Sequence, residues 1–196
     1  MKNKSSYGIA TSLFFVLSFV LLSGCTSDNS NDSAWMNNYT PVHSVGNETD
    51  NFWITFPAGS AYPGQSPQHL TWITEDLKEK PVVFVCHCTG CTGCKPQADR
   101  VNALRETYEE DAVFYDLDNP WEGYGTATED IKNKFYEAFY YDPNGEPNLI
   151  ATTGVFTLIK DGGEVKIGWH SWEGNVADAE METWIKDAIY YYHVNK

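Results

Sequence analysis

Val82-Val83-Phe84-Val85 is an unbroken run of β-branched and aromatic residues, the pattern of a strand covered on both faces, and it follows Pro81 directly. Upstream, Phe52-Trp53-Ile54-Thr55-Phe56 alternates weakly and predicts a strand. Pro57 to Pro67 reads as a glycine- and proline-rich loop, and His69 to Lys80 as a short helix with Thr74-Glu75-Asp76 near its start and Pro81 at its end. Ala98, Val101, Leu104 and Tyr108 recur at helical spacing and make one apolar face. Ala112-Val113-Phe114-Tyr115 predicts a second buried strand, running into Asp116-Leu117-Asp118-Asn119-Pro120. Ile131 to Tyr141 reads as a helix, Asp142-Pro143-Asn144-Gly145 as a turn and Val155 to Ile159 as a third strand. Asp161-Gly162-Gly163 turns the chain into Glu164 to Trp169, making a hairpin, and Ala177 to Tyr192 closes the chain as a helix. Strand, helix, strand, helix, hairpin and helix is an α/β order with a mixed central sheet flanked by helices.

The first 50 residues follow another pattern. Met1-Lys2-Asn3-Lys4 is basic, Ile9 to Leu22 is almost entirely apolar, and the run ends in Leu22-Ser23-Gly24-Cys25. It is shorter than the roughly 20 residues of a membrane-spanning helix and stops at small residues, so residues 1–24 read as a signal peptide. Leu22-Ser23-Gly24-Cys25 resembles the lipobox of prokaryotic lipoproteins. That resemblance implies cleavage before Cys25, a thioether-linked lipid on Cys25, and a place on the extracytoplasmic face of a prokaryotic membrane. The stretch that follows is rich in Ser, Asn, Asp and Thr with few apolar anchors. Residues 25–50 therefore read as a flexible tether and 51–196 as the folded domain.

Charge and composition narrow the partners. A chain of 196 residues has room for one ordinary domain, and 42% hydrophobic with 15% aromatic residues is enough for a packed core. Acidic residues outnumber basic ones 27 to 13, a net charge of −14. Loss of residues 1–24 would remove Lys2 and Lys4 and deepen it to −16. A partner with a phosphate backbone needs the opposite sign, which excludes nucleic acid.

The candidate chemistry lies in Cys86-His87-Cys88-Thr89-Gly90-Cys91-Thr92-Gly93-Cys94-Lys95, which holds four of the five cysteines. Two chemistries fit four thiols at this density. In one, Cys91 and Cys94 form a redox pair at a helix start, where unpaired backbone N–H groups and the helix dipole stabilise a thiolate on Cys91; this requires no cofactor. In the other, Cys86, Cys88, Cys91 and Cys94 grip a soft metal ion or an iron–sulfur cluster. Cys88-x-x-Cys91-x-x-Cys94-Lys95-Pro96 resembles the start of a bacterial ferredoxin motif, with no fourth cysteine after Pro96. His87 is placed to tune a thiolate or to bind metal. Attachment of c-type haem needs Cys-x-x-Cys-His, which Lys95 excludes. Asp116-x-Asp118 does not continue as a calcium loop, because Pro120 and Trp121 occupy the next required positions.

Pro81 to Val85, then Cys91-x-x-Cys94-Lys95 and an amphipathic helix, resembles the central strand and active-site helix of thioredoxin. The resemblance continues through Val113 to Pro120, Gly154 to Leu158, Gly162 to Val165, Gly168 and a final helix around Trp184-Ile185, covering most of residues 68–195. It implies a thioredoxin-like fold and a thiol-disulfide oxidoreductase acting on partner proteins with thiols or disulfides. Cys91 would attack a partner disulfide and Cys94 would resolve the mixed disulfide. Cys86 and Cys88 lie outside the family pattern and are candidate auxiliary thiols. At two positions the chain departs from it: Val85 stands where the family has a buried acid, and Phe156 is assigned to the substrate loop where the family has a cis-proline. The stretch from Gly123 to Ile150 is long enough to add a helix near the edge of the site.

Overall fold

Placing Val82–His87 in the middle of a sheet satisfies a run with no polar face. This strand, β1, pairs in parallel with β2 (Val113–Asp118) and antiparallel with β3 (Thr152–Asp161), and β3 pairs antiparallel with β4 (Glu164–Trp172). The order across the sheet is β2-β1-β3-β4, a mixed four-stranded sheet. The computed structural model describes residues 34–45, 53, 56, 67–145 and 150–196. Among them the helices are α1 (Thr71–Asp76), α2 (Lys95–Tyr108), α3 (Glu129–Ala138) and α4 (Asp178–Asn195). None is long and apolar enough to cross a membrane.

Because strand side chains alternate, β1 divides its residues between two cores. Val83 and Val85 join Ala98 and Val101 of α2 with Trp184, Ile185 and Ile189 of α4. Val82, Phe84 and Cys86 face Ile73 of α1, Phe135 of α3, Phe156 and Trp169. Both faces are thus covered, which is why the run does not alternate in polarity. Gly154 lies opposite Phe84 in the register, and a Cβ there would come within 2.6 Å of the Phe84 ring. Any larger residue would have to displace the Phe84 and Phe156 rings.

The observed elements extend the sequence expectations mainly at strand ends. β1 continues through Cys86 and His87, β2 through Asp118, and β3 starts at Thr152. The expected helix over His69–Lys80 is shorter, with Leu77–Glu79 forming turns before Pro81. In the Asp142–Gly145 turn, Asp142 Oδ1 accepts from the N–H groups of Asn144 and Gly145 at 2.8 and 3.2 Å. Of the expected strand over Phe52–Phe56 only Trp53 and Phe56 are described, and the Trp53 carbonyl accepts from Trp169 N–H at 2.6 Å. The loop expected over Pro57–Pro67 lies outside the described residues apart from Pro67.

The tether expectation is corrected over residues 34–45. Ala34–Asn38 is a 3-10 helix, and the segment after it is bound to α4. Asp187, fully buried, accepts from the Tyr39 hydroxyl at 2.5 Å, from His43 N at 2.7 Å and from His43 Nδ1 at 2.7 Å. The His43 ring stacks on Trp184 with centroids 3.5 Å apart. The signal overlooked in the sequence was an acidic residue within the apolar stripe of the last helix, whose burial requires donors from elsewhere.

Candidate functional site

Cys91 and Cys94 are joined by a disulfide, with Cα atoms 5.4 Å apart. Cys94 is the N-cap of α2 and Pro96 occupies its first turn, where a missing N–H costs nothing. Cys91 stands one turn ahead of the helix and is half-buried, whereas Cys94 is buried. The Cys94 N–H points at Cys91 Sγ from 3.2 Å, a donor placed to stabilise negative charge on Cys91 after reduction. Lys95 contributes less than its position suggests, because its ammonium is bound to the Asp99 carboxylate at 2.5 Å.

A cavity of about 460 Å³ opens beside the disulfide at the carboxyl ends of β1 and β2. Cys91, Cys88, His87, Asp116, Asn102 and Tyr124 are among its lining residues. His87 Nε2 lies 2.5 Å from Asp116 Oδ1, and Asn102 Nδ2 donates to Asp116 Oδ2 at 2.8 Å. Burial opposes a charge on His87, but the hydrogen bond and charge of Asp116, aided by Asp118, outweigh it and hold the imidazole pKa above its ordinary value. Burial likewise opposes ionisation of Asp116, yet the hydrogen bonds from His87 and Asn102 hold its carboxyl below the usual range. The two form an ion pair with an exchangeable proton at the cavity wall.

This pair bears on the missing acid. Val85 is fully buried in the sheet, and the residue registered beside it on β2 is Asp116. A carboxylate thus stands on β2 beside the position that is apolar on β1. The chain order places Asp116 at the end of the second strand and excludes it as part of a calcium loop, but nothing in that order pairs it with His87 before the register is known.

Cys86 is fully buried beneath α3, its Sγ 3.9 Å from the Phe135 carbonyl oxygen. Burial, with the neighbouring Cys88 as a second cause, pushes its thiol well above the ordinary range, so it stays protonated. Cys88 caps the end of the strand, only 7% exposed. The loop after β2 closes over the turn that follows it: Trp121 N–H donates to the Thr89 carbonyl at 3.3 Å, and the Tyr124 ring covers Gly90. The expected extra helix is α3, and it is the loop leading into it that reaches the site.

Phe156 is not beside the disulfide. It pairs with Val82 at the opposite end of β1 and is fully buried among Phe84, Tyr141 and Trp169. The residues that register with the cysteine end are Thr152, opposite Cys86, and Ala151, whose N–H donates to the Cys86 carbonyl at 2.8 Å. Ala151 has φ of +68°, an uncommon conformation for a residue with a Cβ. The assignment failed because β3 begins three residues earlier than its apolar run.

The four thiols do not fit a metal or iron–sulfur cluster. Among the described residues no group of three or more His, Cys, Asp or Glu side chains is arranged to hold a metal ion. Cys86 points into the core under α3, while Cys91 and Cys94 are bonded to each other. Cys25 lies outside the described residues. No known family profile matches the chain, and no curated protein is significantly similar to it in sequence.

Proposed function

We propose that the domain is a thioredoxin-like thiol-disulfide oxidoreductase, anchored through a lipid on Cys25 to the extracytoplasmic face of a prokaryotic membrane, that exchanges disulfides with partner proteins. The observation that carries this reading is the Cys91–Cys94 disulfide at the start of α2, with Cys91 half-buried at a cavity and Cys94 buried behind it. Support also comes from the element order, a parallel β1-α2-β2 unit followed by an antiparallel hairpin and a closing helix, which is the arrangement the thioredoxin resemblance implies.

In the reducing direction the Cys91 thiolate attacks one sulfur of a partner disulfide and the other partner sulfur leaves as a thiolate. Cys94 then loses its proton and attacks Cys91 Sγ, which restores the Cys91–Cys94 bond and frees the second partner thiol. Two electrons pass from the pair to the partner, and the oxidising direction is the reverse. The His87–Asp116 pair at the cavity wall is the group available to give and take protons there. Trp121 and Tyr124, exposed at 50% and 61% beside the site, suit contact with a polypeptide.

The test is a redox titration with defined thiol-disulfide buffers. Reversible two-electron cycling of Cys91–Cys94, abolished by Cys91→Ser, and capture of partner proteins by Cys94→Ala, strongest when Cys88 is replaced as well, are the expected outcomes. A pair that neither cycles nor captures would remove the reading.

A further inference from the structure

The sequence around the disulfide contains the same tetrad twice, Cys88-Thr89-Gly90-Cys91 and Cys91-Thr92-Gly93-Cys94, sharing Cys91. Both fold as a tight turn. In the second, Cys94 N–H donates to the Cys91 carbonyl at 3.3 Å; in the first, Cys91 N–H donates to the Cys88 carbonyl at 2.9 Å. Such a turn brings its first and last Cα atoms within about 7 Å, the reach of a disulfide. Gly90 supplies the positive φ, +95°, that a type II turn requires at its third residue.

The first turn is also built to be held. Thr89 N–H donates to Asp118 Oδ1 at 2.7 Å, and its hydroxyl donates to the other oxygen of the same carboxylate. The Trp121 side chain favours the Cys88 thiolate, against burial and the Asp118 charge. Cys88 and Cys91 line the same cavity.

Resting on the exchange reading above, we infer that Cys88 is a second resolving thiol, a catalytic residue that competes with Cys94 for Cys91 and moves the disulfide to Cys88–Cys91. The step is balanced within the chain. Cys88 gives up its proton and attacks Cys91 Sγ; the Cys91–Cys94 bond breaks, and Cys94 leaves as a thiolate and takes up a proton. No electron is gained or lost overall. When Cys91 is bound to a partner sulfur, the same attack releases the partner thiol and leaves Cys88–Cys91 oxidised, a route that does not use Cys94. Burial and the Asp118 charge hold the Cys88 thiol above its ordinary pKa, against the Trp121 hydrogen bond, so this route accelerates as the pH rises.

The experiment uses the full chain as Cys94→Ser, the nearest isostere without a thiol, with oxidised glutathione as the probe. Differential alkylation before and after reduction, read by fragment mass mapping, identifies which thiols are bonded. The expected result is a glutathione adduct on Cys91 that converts to a Cys88–Cys91 disulfide in a first-order reaction whose rate rises with pH. In Cys88→Ala/Cys94→Ser the adduct should persist at least tenfold longer. An adduct as durable in Cys94→Ser as in the double variant overturns the relay, while reversible Cys91–Cys94 cycling in the wild type would leave the exchange reading intact. If the wild type does not cycle either, both fall together.

Discussion

His87 Nε2 and Asp116 Oδ1 lie 2.5 Å apart, joining the end of β1 to β2 at the wall of the cavity that Cys91 shares. The raised pKa of His87 means that its contribution to stability is fully present below the unfolded histidine value and is lost as the pH rises through the folded value. The lowered pKa of Asp116 gives a contribution present above the unfolded carboxyl value and lost as the pH falls through the folded one. Asp116→Asn should therefore cost about 1 kcal/mol near pH 6, a partly exposed pair being worth little more, and less at either extreme. Urea melts of both proteins from pH 3 to 9 check this; a cost independent of pH would show that the two side chains are not ionised together.

Two other histidines act in the opposite direction. Burial holds His170 down to about 3, helped by the charge of His43, and burial alone holds His69 down to about 4. Both are neutral in the native state near pH 6, whereas the unfolded chain protonates them near 6.5. Their contribution is present above pH 6.5 and is lost as the pH falls toward those folded values, by up to ~1.4 kcal/mol per pH unit for each group. His170→Phe, which keeps a ring to stack on Trp184, should flatten the acid limb of the melting-temperature profile. An unchanged acid limb would contradict the assignment.

Gly154→Ala should destabilise the domain by about 1–3 kcal/mol, because its Cβ would fall within 2.8 Å of the Phe84 and Phe156 rings in a filled core. Gly90→Ala acts locally instead, forcing a Cβ into a positive φ and to 3.0 Å from the Tyr124 ring. Thermal melts should show the larger loss in Gly154→Ala. Conversion of the glutathione adduct to Cys88–Cys91 in the Cys94→Ser background should be impaired only by adding Gly90→Ala.

Asp187→Ala would leave the Tyr39 hydroxyl and the Val42 and His43 N–H groups without their acceptor. The expected cost is about 2–3 kcal/mol, accompanied by release of residues 35–45 from α4. Limited proteolysis read by mass spectrometry should place new cleavages between residues 35 and 45. Equal protection in variant and wild type would mean that the stacking of His43 on Trp184 holds the segment by itself.

Cys25→Ser should shift the protein from the membrane fraction to the soluble one without changing its melting temperature, since the anchor proposed for Cys25 lies outside Trp35–Lys196, the unit that carries the fold. Retention in the membrane fraction would remove the lipid anchor from the proposal.

The amino-acid order by itself determined the alternation of strands and helices, because Val82–Val85, the helical spacing of Ala98 to Tyr108 and the Asp161-Gly162-Gly163 turn are local patterns with local causes. It also singled out the cysteine cluster, since two consecutive short turns keep Cys88, Cys91 and Cys94 together while Cys86 goes to the core. Tertiary structure decided everything that depends on register or on a partner distant in the chain. Pairing β1 with β2 set Asp116 beside Val85 and against His87, and pairing β1 with β3 carried Phe156 away from the cysteines and brought Ala151 and Thr152 to them. Burial of Asp187 fastened Tyr39 and His43 to the last helix across more than 140 residues of chain. The physical reason is the same in each case: hydrophobic periodicity specifies which face a residue takes, but a two-residue slip of register keeps every face while exchanging every cross-strand neighbour.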